Sequence, residues 1–440
     1  MSMVKKFFTL CVIVLVLIFQ PGCTGTPHHN AQNNSDVKCF YPRQPVSLTD
    51  KGSYYDVTLD FSGRFTHRQV GEAFAREILS ALPDYEALVD SYIAENLDPD
   101  SYSVMLERAN DLKPQLQQDY TDEIEGMARM FSGKNNNVRG DNKISRDEFY
   151  VFNLFPDVAR GTQCSFVSVF GSRSASHGNI TGRILDWYGG NENQLPKIQA
   201  IIRIINPHGR IWSIGYLGYM GIISGFNDDR VFAAILDSQS GAPFTSVGKR
   251  SYPLDLRYAL EHKRTLNQAA GFMKENATNY TVNHLIAFSD PKESKVLENN
   301  FSGTGPNGQS AQPALRDSDS RLNDGVTWDI SNAIGCVNSF ILYGNLDNHT
   351  NDSSNTQRWD NMKTQLQNQG SVVSFNEIKD VISYNHGFPG NAYEYGDLYN
   401  DMTLQMIMFQ PGSLTLEVFF RPKESIINPV HPVFEKISVF

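Results

Sequence analysis

From Ser165 onward the chain repeats one texture: short apolar and aromatic runs, each closed by Gly, Asn, Pro or Asp. Phe166–Phe170, Ile201–Ile205, Arg210–Gly215, Val231–Leu236, Leu285–Phe288, Ser339–Tyr343, Met402–Phe409 and Ser413–Phe420 share this form. Runs of about four to eight residues bounded by turn signals read as strands buried in a sheet core. Helical pieces are expected between them, near 255–276 and 355–368, and 302–325 reads as a polar loop. The second part of the chain is therefore expected to be a large, mostly antiparallel sheet assembly with helices outside it, an α+β fold.

Upstream the pattern differs. Tyr54–Phe61 alternates, with Val57, Leu59 and Phe61 on one face, and reads as a strand. Thr66 is placed to cap a helix in which Val70, Phe74, Ile78 and Leu82 recur at helical spacing until Pro83 stops it. Two more helices are expected around 84–96 and 115–131, so the chain reads as mainly helical up to about residue 131. Residues 23–50, polar and rich in turn formers, read as a tether.

The first 22 residues read as an address. Lys5 and Lys6 precede the apolar run Phe7–Phe19, then Gln20, Pro21, Gly22 and Cys23. That is the charged, apolar and small-residue order of an export signal, and the run is too short to span a bilayer as a mature helix. Cys23 after Gly22 resembles a bacterial lipoprotein attachment site, although Gln20 stands where such sites carry an aliphatic residue. The expected location is periplasmic or membrane-anchored through Cys23 in a bacterium, and secretory or lysosomal in a eukaryote.

Charge narrows the function classes. The formal net charge of −10 becomes −12 once Lys5 and Lys6 leave with the signal, and a nucleic-acid partner needs a positive patch instead. Of the five cysteines, Cys11 leaves with the signal, and Cys39, Cys164 and Cys336 are too few for a disulfide framework. At least one thiol is expected to stay free.

Most motif matches fail on physical grounds. Gly303–Gly308 has the letters of a dinucleotide fingerprint, but Pro306 and its polar surroundings cannot open a helix after a strand. Asn137–Glu148 echoes a calcium loop, with Asp141 and Glu148 in place, yet Arg139 takes a ligand position and Asn142 that of the turn glycine. The simpler reading is a helix start at Ser145, with Glu148 completing a capping box. The ten histidines, His284 and His386 among them, show no metal-ligand spacing, so neither a metal nor a cofactor is expected.

One constellation remains. Cys164 opens a strand, a turn runs through Gly171–Asn179, and a second strand carries Arg183 and Asp186. A hairpin of that length brings Arg183 and Asp186 back beside Cys164. A guanidinium next to a thiol favours the thiolate, and a carboxylate there can orient a protonated amine.

Cys164-Ser-Phe followed by Gly182-Arg-Ile-Leu-Asp-Trp187 resembles the N-terminal nucleophile cysteine hydrolases: penicillin acyltransferase-like peptidases, choloylglycine hydrolases and acid ceramidase. Glu123–Ala128 and Ser145–Asp157 resemble the lead-in to the nucleophile. Gly221–Asn227, Val337–Phe340, Ser353–Arg358, Thr403–Pro411 and Leu414–Val418 resemble later motifs, in the family's order over roughly 120–420.

The resemblance implies a four-layer αββα sandwich, 164–440, released from a helical pro-segment, 51–163, by self-cleavage between Gln163 and Cys164. It also implies that the freed α-amine, titrating near 8, takes the thiol's proton, and that an acyl-enzyme forms on sulfur. Asp186 would hold the α-amine, Arg183 support the sulfur and the acyl group, Asn338 steady the amine or the oxyanion, and Arg358 organise the site from behind. Asn227 marks the oxyanion or substrate region, but Asp237 stands where relatives place a donating asparagine, and an ionised carboxylate cannot donate.

The activity so implied is cleavage of an N-acyl, non-peptide C–N bond in an acylated amine, lipid amide or acylated amino acid. Three alternatives stand beside it: an acyltransferase using the same acyl-enzyme, an ester or phospholipid hydrolase, and a surface lipoprotein with a dead site.

Overall fold

The computed structural model describes residues 44–97, 99–159, 163–238, 244–301, 312–345, 352–386 and 396–439. The expected export signal, Cys23, Cys39, most of the expected tether and the 303–308 match lie outside them.

Two strands, β1 (Val46–Asp50) and β2 (Tyr55–Asp60), open the described chain. Six helices follow: α1 (His67–Ala81), α2 (Tyr85–Asn96), α3 (Pro99–Leu112), α4 (Gln118–Ala128), α5 (Arg146–Asn153) and α6 (Phe155–Val158). Next come β3 (Gln163–Val169), β4 (Ile180–Asp186), α7 (Gln194–Lys197), β5 (Gln199–Asn206), β6 (Gly209–Tyr216), β7 (Ser224–Asn227) and β8 (Phe232–Asp237). The pair α8 (Tyr252–His262) and α9 (Leu266–Glu275) precedes β9 (His284–Ser289), β10 (Ser294–Asn299), β11 (Ala314–Arg316) and β12 (Ala333–Cys336). The chain closes with α10 (Ser353–Asn368), α11 (Phe375–Ile382), β13 (Thr403–Gln410), β14 (Thr415–Phe420) and β15 (Glu435–Ile437).

Local chemistry explains the helix starts. Thr66 caps α1 and Ser145 caps α5, each in a full capping box with Gln69 and Glu148 respectively. The loop ahead of Ser145 is held by the Asp90 carboxylate, which accepts the N–H of Gly140 at 2.7 Å and of Asn142 at 2.6 Å. Helices α1 and α4 cross at two glycines: a Cβ on Gly71 would lie 2.3 Å from the Glu123 carbonyl, and one on Gly126 equally close to that of Arg68. Only glycine allows that approach.

The strands form two sheets. The larger runs β1-β2-β5-β6-β7-β8-β9-β10-β11 and the smaller β12-β3-β4-β13-β14-β15. All pairings within them are antiparallel except β2 with β5. Side-chain alternation sorts the smaller sheet into two faces. Cys164, Phe166, Leu185, Ile407 and Phe409 turn toward the larger sheet, where Phe409 stacks on Phe226 at 4.5 Å. Val167, Ile184, Met406 and Met408 turn the other way, onto Trp359 and Met362 of α10 and Ile378 and Ile382 of α11. With α1, α4, α8 and α9 on the far side of the larger sheet, the layers are α/β/β/α. The fold is α+β.

Several expectations need correction. Residues 46–50, inside the supposed tether, pair with β2 as a strand. The strand expected at Tyr54–Phe61 forms as β2 and pairs with β5, so the segment before Cys164 adds strands to the main sheet. The strand expected at Ser339–Tyr343 lies earlier, at β12, and leaves Asn338 in the loop that follows.

Candidate active site

The hairpin β3–β4 builds the site. Its register sets Cys164 opposite Leu185, Phe166 opposite Arg183 and Gln163 opposite Asp186. Arg183 therefore shares the inward face with Cys164, and its Nη2 donates to the Cys164 sulfur at 3.3 Å. The same nitrogen donates to the Ile235 carbonyl in β8 at 2.9 Å, so this one guanidinium links the two sheets. Arg183 is fully buried, and among the described residues no carboxylate lies in salt-bridge contact with it.

The main chain of Cys164 is held as firmly. Cys336 pairs with Phe166, and continuing that register by two residues brings Asn338 opposite Cys164. Its Oδ1 accepts the Cys164 N–H at 2.6 Å, while its Nδ2 donates to the Asp237 carbonyl at 2.8 Å. Arg358 reaches in from α10, on the outer face. Its Nη1 donates to the Cys164 carbonyl at 2.8 Å and to Ser165 Oγ at 3.1 Å, and its Nη2 to Asn338 Oδ1 at 3.2 Å and to Asn355 Oδ1.

Asp186, by alternation, points to that same outer face, behind the nucleophile's strand. It accepts from Thr403 Oγ1 at 2.7 Å and Asn400 Nδ2 at 3.4 Å. Burial pushes its carboxyl up to about 6, against the pull of Thr403 and Arg358. The second free thiol, Cys336, is pushed by burial up to about 12.

In front of Cys164 lies a cleft enclosing about 710 Å³ of empty space, part of it open to solvent. The helical segment supplies one wall, with Tyr92, Phe152, Phe155 and Pro156. The sheets supply the other, with Trp187, Tyr216, Tyr219 and Ile235, and Arg183 and Asp237 complete the lining. An apolar cleft with few polar groups suits a small molecule with an apolar part.

The structure thus brings Cys164, Arg183, Asn338 and Arg358 into direct contact, with Asp186 behind and Asp237 on the cleft wall. It does not bring Asn227. That side chain donates to the carbonyls of Leu260 and Lys263 at 3.0 Å each and accepts the Val231 N–H, tying the β7–β8 turn to the end of α8. His284 is structural as well, stacked on Tyr252 with a partner at each ring nitrogen. Among the described residues no cluster of His, Cys, Asp or Glu is placed to hold a metal ion, and no helix is long and apolar enough to cross a membrane.

Sequence reasoning missed Tyr216, Tyr219 and Glu298. The first two fall in runs that read only as core. Glu298 is buried and accepts from the N–H groups of Ile341 and Leu342 at 3.1 Å and from Asn345 Nδ2 at 2.7 Å, anchoring the loop that begins at Asn338.

No family model matches the chain, and no curated protein matches it either. Among solved structures it is similar to a Caenorhabditis elegans ortholog of N-acylethanolamine-hydrolyzing acid amidase. That match has 15% identity and a TM-score of 0.40, over 57% of this chain and 93% of the other. A mutant conjugated bile acid hydrolase from Clostridium perfringens matches at 14% identity and TM-score 0.35, over 63% and 97%. Penicillin V acylase from Agrobacterium tumefaciens matches at 11% and 0.38, over 63% and 86%. At these identities and scores the three say what the chain is similar to, and the chemistry must come from its own residues.

Proposed function

We propose that this chain is an exported N-terminal nucleophile cysteine amidohydrolase that cuts itself before Cys164 and then cleaves an N-acyl, non-peptide C–N bond. One observation carries the reading. The sulfur, N–H and carbonyl of one buried cysteine are engaged by three different polar side chains, Arg183, Asn338 and Arg358, at the floor of an aromatic cleft. A cysteine serving only as core filler needs none of these.

Self-cleavage begins with attack of the Cys164 sulfur on the Gln163 carbonyl. The C–N bond breaks as its nitrogen gains a proton, leaving a thioester between Gln163 and the sulfur. Water then hydrolyses the thioester, giving a carboxylate at Gln163, a free thiol and a free α-amine on Cys164. The amine inherits the place of the N–H, so Asn338 Oδ1 is its first acceptor.

In turnover the amine takes the thiol's proton, the sulfur attacks the substrate carbonyl, and the leaving amine receives that proton. Water, activated by the same α-amine, then releases the acid. Arg183 faces the sulfur through both steps, and Asp186 is the carboxylate that offsets the transient ammonium. The Asn338 amide has a second N–H beyond the one given to the Asp237 carbonyl, and that N–H can donate to an oxyanion. The cleft suits an acylated amine, lipid amide or acylated amino acid.

The test is amine release from a panel of N-acyl amines and N-acyl amino acids by the mature protein and by Cys164→Ala. Release by the first alone supports the reading, and activity surviving in Cys164→Ala removes it. Transfer of the acyl group to an added amine separates an acyltransferase from a hydrolase.

A further inference from the structure

Two phenol hydroxyls in the cleft have no partner. Tyr216, at the end of β6, and Tyr219 both line it and are 5% and 4% exposed, and neither hydroxyl oxygen meets a hydrogen-bonding group in the described structure. The other phenols of the cleft are satisfied. Tyr92 accepts from Trp187 Nε1 at 2.6 Å and donates to the Tyr188 carbonyl, and Tyr252 donates to the Pro156 carbonyl at 3.3 Å. A buried hydroxyl left unpaired is destabilising and rare, and phenylalanine would fill the same space without that cost. Two of them in the one cleft that holds the nucleophile point to a ligand.

The two sit differently. Tyr216 ends β6 in the larger sheet, whereas Tyr219 meets the Phe152 ring edge-on at 6.2 Å, with Phe155 also lining the cleft.

We propose that Tyr216 and Tyr219 form a recognition site for the acyl group, and that this group is aromatic and carries an oxygen: a hydroxyl, ether or keto group. The proposal rests on the amidase reading of the same site. A site built to hydrogen-bond an oxygen discriminates against the analogue lacking it far more than an apolar wall discriminates by size.

The probes are a matched pair, 3-(4-hydroxyphenyl)propanoate and 3-phenylpropanoate, with their N-acyl glycine conjugates. Calorimetry on Cys164→Ala measures binding of the two acids without any catalysis. The hydroxylated acid is expected to bind at least about tenfold tighter, and Tyr216→Phe with Tyr219→Phe to bring the ratio near one without weakening the plain acid. Equal binding of the two acids, or a preference that survives both replacements, overturns the proposal. Tyr216→Phe lowering kcat equally on both conjugates at unchanged KM overturns the recognition role of Tyr216, since it would then act on the reacting carbonyl. If the acids are discriminated but the wild type hydrolyses no amide, the amidase reading fails and the recognition site stands. If amides are hydrolysed without preference, the reverse holds.

Discussion

Asn338 Oδ1 accepts the main-chain N–H of Cys164 at 2.6 Å across 174 residues of sequence. The contact belongs to no sheet ladder, because β12 ends at Cys336. A side chain here does the work of a strand, and it holds the atom that the proposed self-cleavage would turn into the catalytic amine.

Asn338→Ala should therefore damage both self-cleavage and turnover while leaving the sheets intact. A misplaced nucleophile and base typically cost about 100-fold in rate. Processing followed by gel and turnover by amine release should fall together, with circular dichroism unchanged. An Asn338→Ala protein that processes and turns over at the wild-type rate would remove the role.

Asp186 is expected to add a second acid step to activity, below the one that protonation of the α-amine itself gives. Its carboxyl is pushed up to about 6 by burial, so lowering the pH through that value neutralises it and removes the counter-charge to the ammonium. kcat/KM should fall as pH drops below about 6, and Asp186→Asn should be inactive at every pH. A wild-type profile flat from pH 7 to pH 5 contradicts this.

Asp157 governs stability at the opposite end of the scale. Burial pushes its carboxyl from 3.8 up to about 8, while Tyr252 N–H donates to it at 3.0 Å. The folded state thus keeps a proton that the unfolded state loses above pH 4. Stability should decline as pH rises from about 4 to about 8 and stay level beyond, as linkage requires. Asp157→Asn retains the acceptor for Tyr252 and should flatten that decline, with its largest advantage above pH 8. Urea midpoints measured against pH decide it, and parallel curves for the two proteins would refute it.

Glu298 acts on the site from a distance. It pairs with Arg316 at 3.2 Å, both buried, and holds the loop of Ile341, Leu342 and Asn345. Glu298→Ala leaves Arg316 charged and those donors unpaired, a loss of about 3–5 kcal/mol. Processing should slow as well, since the same loop carries Asn338. Denaturation and processing assays on one sample check both, and loss of stability with unchanged processing would confine Glu298 to the scaffold.

What the sequence made legible was local. The α1 periodicity and the Ser145–Glu148 capping box depend on residues a few positions apart, where propensity and period act directly, and the Cys164–Asp186 hairpin joins two strands adjacent in sequence. Elements outside the expected runs escaped, among them the eight-residue α11 and the strands β7 and β10 of four and six residues, and the β12 strand is expected several residues too late because apolar residues flank it on both sides. Asn227 was assigned to the site by motif order, but its amide faces the end of α8 instead. The orphan hydroxyls of Tyr216 and Tyr219 could not be seen from sequence, since an unpaired group is defined by what surrounds it in space.

The central claim is that Cys164 is a nucleophile that frees its own amine. Intact mass and N-terminal sequencing of the purified mature protein, beside Cys164→Ala, test it most directly. The account predicts a wild-type fragment beginning at Cys164, and a single uncut chain for Cys164→Ala. A wild type that stays uncut across pH 4 to 8, or a Cys164→Ala protein cut at the same bond, would contradict it.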